Sequence, residues 1–179
     1  TFYCKSVDDE QAAIHDLVRT AVEKAEAVIK PGARFCDIDA QARDYIDEKG
    51  YSEYWKIRLG HFIGQEDHEY GDVSPINKNV AEPGMIFSIE PGIYIEGSHG
   101  VRLENELLVC EGEKNEYGEF LYFEPITYVP FDLDAINPDI MNAEDKERLN
   151  TYHATVYEKV SPYLNDEEKE WLKKYTRAI

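Results

Sequence analysis

The feature that most constrains this chain is the segment SIEPGIYIEGSHGVRLENELLV, which spans residues 88–109. Residues 85–95 are apolar and β-branched, and residues 101–109 alternate between apolar and polar side chains. The intervening EGSHG has the composition of a turn. The segment therefore predicts an antiparallel hairpin that turns near Gly97 or Ser98.

The predicted hairpin brings acidic side chains together. With the turn at its centre, Glu90 faces Glu104 or Asn105 on the opposite strand. Two carboxylates at the usual cross-strand spacing of about 4.5–5.5 Å repel each other, and an apolar sheet disfavours charge on both. A shared proton or a divalent cation would relieve this repulsion. An edge hairpin with both glutamates in water is the third interpretation.

Amphipathic helices are predicted on both sides of the hairpin. Apolar residues recur at helical spacing after an acidic first turn near the start of the chain. Helices grouped before and after a mostly antiparallel sheet indicate an α+β fold. The predicted elements are helices over residues 8–29, about 37–49 and about 142–159, a short helix around Trp171 and Leu172, and a third strand within residues 119–130.

The predicted elements also suggest how the chain is divided. We expect residues 1–132 to form most of one sheet-containing domain and residues 133–179 a helical extension. The apolar face of the helix after Asn142 predicts either packing against the sheet or a dimer contact.

Composition excludes some classes of partner. The net charge of −18 argues against nucleic acid and is compatible with a carboxylate-lined cation site. No apolar run approaches the length of a membrane span. The cysteines Cys4, Cys36 and Cys110 share no metal-site spacing, which predicts reduced thiols in a cytoplasmic protein.

Four residues form a candidate site: His61, His68, Glu90 and Glu104. A lone histidine is usually a structural residue. Two histidines seven residues apart, followed by two glutamates on paired strands, favour a site for manganese, cobalt, iron or zinc. Arg102 lies two residues before Glu104, so we expect it on the same face, where it either orients a carboxylate or neutralises acidic charge.

Taken together, GHFIG…DHEYG, PGMIFSIEPGIYI and GVRLENELLV resemble the metal-binding segments of the pita-bread metallopeptidases. This family includes Xaa-Pro aminopeptidases, prolidases, methionine aminopeptidases and creatinases. FLYFEPITYVPFD, LNTYHATV and EKEWLKKYT resemble the C-terminal extension of the three-domain aminopeptidase P enzymes. The resemblance implies a pita-bread fold, hydrolysis of the bond between a first residue and a following proline, and a homodimer.

The resemblance also implies a role for each site residue. His61, Glu90 and Glu104 would be metal ligands, with Glu104 bridging two metals. Glu90 would also transfer protons, and His68 would contact the scissile carbonyl without binding metal. Arg102 would support the carboxylates. The implied cofactor is a pair of divalent metals, manganese first, with zinc or cobalt as alternatives.

The sequence departs from the family pattern at two points. Two further aspartate ligands precede the first helix in the family, whereas TFYC resembles the end of that strand and Asp8 and Asp9 fall at the helix start. Ile57 also stands where many Xaa-Pro aminopeptidases have histidine. We therefore expect the C-terminal part of a longer, N-terminally truncated enzyme, inactive alone and active when the missing strand is supplied. The alternative is a noncatalytic derivative that binds peptides or proteins. A cupin-like metal site would need two histidines separated by one residue, and this sequence has no such pair.

Overall fold

The computed structural model describes Thr1, residues 6–30 and residues 32–179. The chain separates into two compact units, one of Ala13–Thr127 and one that combines Thr1–Ala12 with Tyr128–Ile179. The predicted strand end in TFYC falls on residues 2–4, outside the described part of the chain. The division predicted after residue 132 stays a prediction.

The predicted helices are confirmed, with small shifts at their ends. Side-chain oxygens cap the first turns of two of them: the Gln11 N–H donates to Asp8 Oδ1 at 2.8 Å, and the Asp145 N–H donates to Asn142 Oδ1 at 2.9 Å. None of the helices in the described ranges combines the length and apolar character needed to cross a membrane. The helices are α1 (Asp9–Ala27), α2 (Phe35–Glu48), α3 (Ala143–Val160) and α4 (Asp166–Tyr175).

Two antiparallel sheets hold the strands of the larger unit. The five-stranded sheet has the order β2-β1-β3-β6-β7, and β4 pairs with β5 in a two-stranded sheet. The α+β prediction is therefore confirmed. The strands are β1 (Gly60–Phe62), β2 (Glu69–Val73), β3 (Ile86–Ile89), β4 (Gly92–Tyr94), β5 (Gly100–Arg102), β6 (Asn105–Asn115) and β7 (Gly118–Pro125).

The hairpin strands, which were predicted to be continuous, are each broken once. The first is interrupted at Glu90 and Pro91, and the second at Leu103 and Glu104. Proline has no N–H to donate to a ladder, and the Glu90 N–H donates at 2.7 Å to the carbonyl of Leu59 instead. The interruption therefore marks the point where a third segment joins the hairpin.

Strands β1 and β2 are absent from the sequence prediction because their segment shows no alternation. β1 has three residues, and the pairing of β1 with β2 shifts register between His61 and Phe62. Gly71 in β2 has a φ of 125°, and a Cβ there would collide with the Phe62 ring. A bulge and a positive φ remove the period of two on which strand prediction depends.

Aromatic packing fixes the strands that carry the candidate site. Phe35 at the start of α2 contacts the rings of Phe62 and Phe87 edge to face, with centroid distances of 5.0 and 5.2 Å. Phe87 also lies 6.1 Å from Phe123 of β7. Both Phe35 and Phe87 are fully buried, so β1 and β3 are held side by side from one face.

The smaller unit is organised around α3. His153 and Val156 lie fully buried on the helix face that the sequence predicts to be apolar. The Phe131 N–H donates to His153 Nε2 at 3.0 Å, and the Tyr152 hydroxyl donates to the Val129 carbonyl at 3.0 Å. These bonds attach the extended segment after Tyr128 to the helix.

Candidate metal centre

The two glutamates meet where the hairpin is interrupted. Ile89 pairs with Asn105 on one side of the gap, and Gly92 pairs with Arg102 on the other. The two ladders share one register, so Glu90 faces Glu104 as predicted, and Asn105 belongs to the neighbouring pair. Atoms of both carboxylates and of the His61 ring lie within 4.8 Å of one another.

His61 is oriented at both ring nitrogens. Its Nδ1 lies 3.1 Å from the Phe62 carbonyl oxygen, which can only accept, so Nδ1 carries the donated proton in the neutral ring. Nε2 then has its lone pair free and lies 3.4 Å from Glu90 Oε1. Two acceptors therefore face each other across a distance that a cation or an added proton would bridge.

Glu90 is the most deeply placed carboxylate of the group. Its side chain is 12% exposed, and burial raises the pKa of the carboxyl above its usual range. The negative charge of Glu104 raises that pKa further, against the opposing effects of the Ser88 hydroxyl, His61 and Arg102. A second positive charge at this point would favour the ionised form.

Arg102 reaches both glutamates from the half-exposed side of the site. Its Nη1 lies 3.6 Å from Glu90 Oε2, and its Nε lies 3.3 Å from Glu104 Oε2. The guanidinium thus provides one positive charge against two carboxylates. It engages Glu90 through the oxygen that does not face His61.

His68 lies against His61, at the edge of the group. The two rings stack with centroids 3.9 Å apart, and the His68 side chain is 72% exposed. Its loop is held by Glu69, whose Oε1 accepts the N–H groups of Gln65 at 2.6 Å and Glu66 at 3.2 Å. His68 therefore presents an accessible imidazole beside the three converging side chains and contributes no atom to their cluster.

Ser88 belongs to the site although it was not among the predicted site residues, and the glycine before His61 lets Ser88 approach. The His61 N–H donates to Ser88 Oγ at 3.0 Å, and the Ser88 hydroxyl donates to Glu90 Oε1 at 3.1 Å. A Cβ on Gly60 would overlap the Ser88 carbonyl oxygen. A sequence signal exists for Ser88, because Ser88 and Glu90 are two residues apart and so share a strand face.

Comparison with known families identifies the chain. Residues 1–111 match metallopeptidase family M24, and residues 119–179 match the C-terminal region of peptidase M24. The chain therefore belongs to metallopeptidase family M24, the pita-bread metallopeptidases, as the sequence motifs predict.

The relatives are longer proteins. An uncharacterized peptidase of Staphylococcus saprophyticus is 48% identical over 104 residues, which are 58% of this chain and 30% of the relative. One of Staphylococcus aureus is 50% identical over 100 residues, 56% of this chain and 28% of the relative. The matched region thus spans about a third of the length of these curated relatives.

Solved structures show the same fold. The Xaa-Pro dipeptidase from Bacillus anthracis is 37% identical, with a TM-score of 0.62 over 73% of this chain and 34% of its own. The prolidase from Pyrococcus horikoshii is 39% identical, with a TM-score of 0.58 over 61% of this chain and 31% of its own. The X-prolyl aminopeptidase from Caenorhabditis elegans shares the fold over 98% of this chain and 30% of its own, with 24% identity and a TM-score of 0.76.

Family membership implies a divalent metal, and the converging residues fit one. Imidazole and carboxylate donors suit manganese, iron, cobalt and zinc. The free lone pair of His61 points toward a carboxylate oxygen, and two carboxylates share the site with one arginine. A cation would satisfy this excess of acceptors.

Proposed function

We propose that this chain belongs to a metal-dependent aminopeptidase that hydrolyses the bond between an N-terminal residue and a following proline. The prolidase, the Xaa-Pro dipeptidase and the X-Pro aminopeptidase of Thermotoga maritima, at 39%, 37% and 34% identity, support this substrate class. The observation that carries the proposal is the convergence of His61, Glu90 and Glu104 within 4.8 Å.

Each side chain has a proposed task. His61, Glu90 and Glu104 hold metal, and Arg102 holds the carboxylates in place. A divalent metal pair bound there supplies Lewis-acid polarisation of the scissile carbonyl and activation of water. Glu90 would transfer a proton toward the leaving amine, a task that its place among the converging metal-ligand candidates supports.

His68 is proposed to donate a hydrogen bond to the scissile carbonyl oxygen. Its exposed ring and its stacking on His61 support this assignment, because a substrate carbonyl beside the metal ligands lies within reach of that ring.

The remaining features of the proposal concern the cofactor and the assembly. We infer two manganese ions per complete site, with zinc or cobalt as alternatives, since carboxylates predominate among the donors. Free thiols at Cys36 and Cys110 support a cytoplasmic location. A homodimer is proposed by analogy with the aminopeptidase P enzymes.

Peptide hydrolysis by the native-length protein tests the proposal. We expect Mn²⁺-dependent cleavage of Ala-Pro-Ala, no cleavage of Ala-Ala-Ala, and loss of activity with a chelator. Glu90→Gln should reduce turnover by at least about 100-fold, whereas Glu96→Gln, at an exposed position of the same hairpin, should not.

Two outcomes would contradict the proposal. Cleavage of Ala-Pro but not Ala-Pro-Ala would show that the protein is a dipeptidase and not an aminopeptidase. Metal binding without any turnover would favour a noncatalytic binding module.

A further inference from the structure

We propose that Ser88 is a positioning residue that holds His61 and Glu90 together as a preorganised ligand pair. The inference rests on the function proposed above, because it gives those two side chains their task. Ser88 itself ligates nothing. It lies in β3, fully buried, two residues before Glu90.

One hydroxyl connects both ligands. The Ser88 oxygen accepts the backbone N–H of His61 at 3.0 Å, and its single proton is donated to Glu90 Oε1 at 3.1 Å. The same Oε1 lies 3.4 Å from His61 Nε2. The hydroxyl therefore fixes the main chain of one ligand and the side chain of the other at the point where they meet.

Gly60 makes this connection sterically feasible. A Cβ at position 60 would overlap the Ser88 carbonyl oxygen and come within 3.1 Å of Ser88 Oγ. Glycine lets β1 approach β3 closely enough for the next residue, His61, to donate its N–H to the hydroxyl. The Gly-His pair on β1 and the Ser-Ile-Glu run on β3 thus form one arrangement.

Removing a group that hydrogen-bonds to a metal ligand typically lowers metal affinity by about 10- to 100-fold. If the hydroxyl had a purely structural role, its removal would lower the stability of the chain without changing the affinity of the folded chain for metal. Ser74 provides a matched control, because it is also buried and its hydroxyl donates to a carboxylate, Asp72 Oδ1, at 2.5 Å. Ser74 lies outside the converging group.

Amide hydrogen exchange of the metal-free chain tests the positioning directly. In Ser88→Ala the His61 amide loses its acceptor, and we expect its exchange to accelerate about fivefold. Ser74→Ala should leave the His61 amide unchanged. Unchanged exchange at His61 in Ser88→Ala would overturn the proposal, whatever the metal binding of the chain.

Calorimetric titration with Mn²⁺ tests the consequence, at a temperature where all variants are folded. We expect Ser88→Ala to raise the dissociation constant by about 10- to 100-fold, Ser88→Thr to lie closer to the wild type, and Ser74→Ala to match it. If Ser88→Thr does not fold, the two alanine variants decide. Equal dissociation constants for Ser88→Ala and the wild type would overturn the proposed role of Ser88 and leave the proposed function standing. The titration uses the native-length protein, which carries the complete site. A wild-type protein of that length that takes up no Mn²⁺ would overturn the proposed function, and the exchange rate of the His61 amide would still test the role of Ser88.

Discussion

At the scale of single residues, the candidate centre contains more hydrogen-bond acceptors than donors. His61 directs a lone pair at Glu90, and Glu90 faces Glu104 across the hairpin. Arg102 and Ser88 each satisfy part of this demand, from opposite oxygens of Glu90. Burial and the neighbouring charge raise the pKa of Glu90, which is the expected result of assembling ligands in advance of a cation.

Replacing Glu104 by glutamine should separate metal binding from stability. We expect Glu104→Gln to weaken Mn²⁺ binding by at least about tenfold, because an anionic ligand becomes neutral. The free energy of unfolding in chelator should change by less than about 0.5 kcal/mol. The lost contact with Arg102 is offset by the repulsion of Glu90 that is also removed.

Glu111→Gln is the control for that experiment, since it removes the same charge from an exposed position on β6. Calorimetric titration and chemical denaturation measure the two quantities. A loss of stability in Glu104→Gln as large as the loss of binding energy would show that Glu104 is a structural residue.

At the scale of elements, the interruption of the hairpin allows β1 to join it. The gap between its two ladders lets the Glu90 backbone bond to Leu59, just before β1, and so brings His61 beside the glutamates. In the smaller unit α3 has a comparable junction, where His153 accepts the Phe131 N–H from the preceding segment. Both junctions place a histidine where two segments of chain meet.

The junction on α3 should make the smaller unit sensitive to acid. Burial, reinforced by the charge of Arg177, lowers the pKa of His153 in the folded chain. In the unfolded chain histidine titrates at about 6.5. The stabilisation is therefore complete above this pH and is lost as the pH falls toward the folded-state pKa, with a slope of at most about 1.4 kcal/mol per pH unit.

Denaturation of the wild type and His153→Gln between pH 7 and 5 measures this effect. Glutamine keeps an acceptor for the Phe131 N–H but does not titrate. We expect the wild type to lose more stability than the variant over this range. Parallel curves would show that His153 does not contribute to the acid sensitivity.

At the scale of the whole molecule, the cation site lies in an acidic chain with a net charge of −18. Such a chain attracts divalent cations non-specifically, so bound metal alone does not locate a site. The three proposed ligands all belong to the unit Ala13–Thr127. A metal bound by them should therefore stabilise that unit in particular.

Hydrogen exchange measured by mass spectrometry tests where Mn²⁺ acts. At a concentration 100 times the dissociation constant, binding stabilises the folded state by about 2.7 kcal/mol. We expect the added protection to be largest in peptides from Ala13–Thr127 and to be absent in Glu104→Gln. The same protection throughout α3 and α4, or its persistence in Glu104→Gln, would indicate diffuse cation binding.

The sequence alone determined the local features of this protein. Spacing and end signals predicted the four α-helices of the described residues, and the turn composition predicted that Glu90 faces Glu104 or Asn105, because such patterns depend on neighbours a few residues away. The motifs around His61, Glu90 and Glu104 also indicated the family, which the comparisons confirm.

Only the tertiary structure decided what depends on contacts between distant segments. Strands β1 and β2 carry a bulge and a positive-φ glycine, so no alternation marked them. The bond of the Glu90 N–H to Leu59 at the break in the hairpin and the bridge through Ser88 arise where β1 meets β3, and His68 stacks on His61 from the loop that follows β1. His61 and Ser88 are 27 residues apart in the sequence, and Leu59 and Glu90 are 31 residues apart. Patterns of adjacent residues do not predict such pairings, because the pairings depend on packing between distant segments.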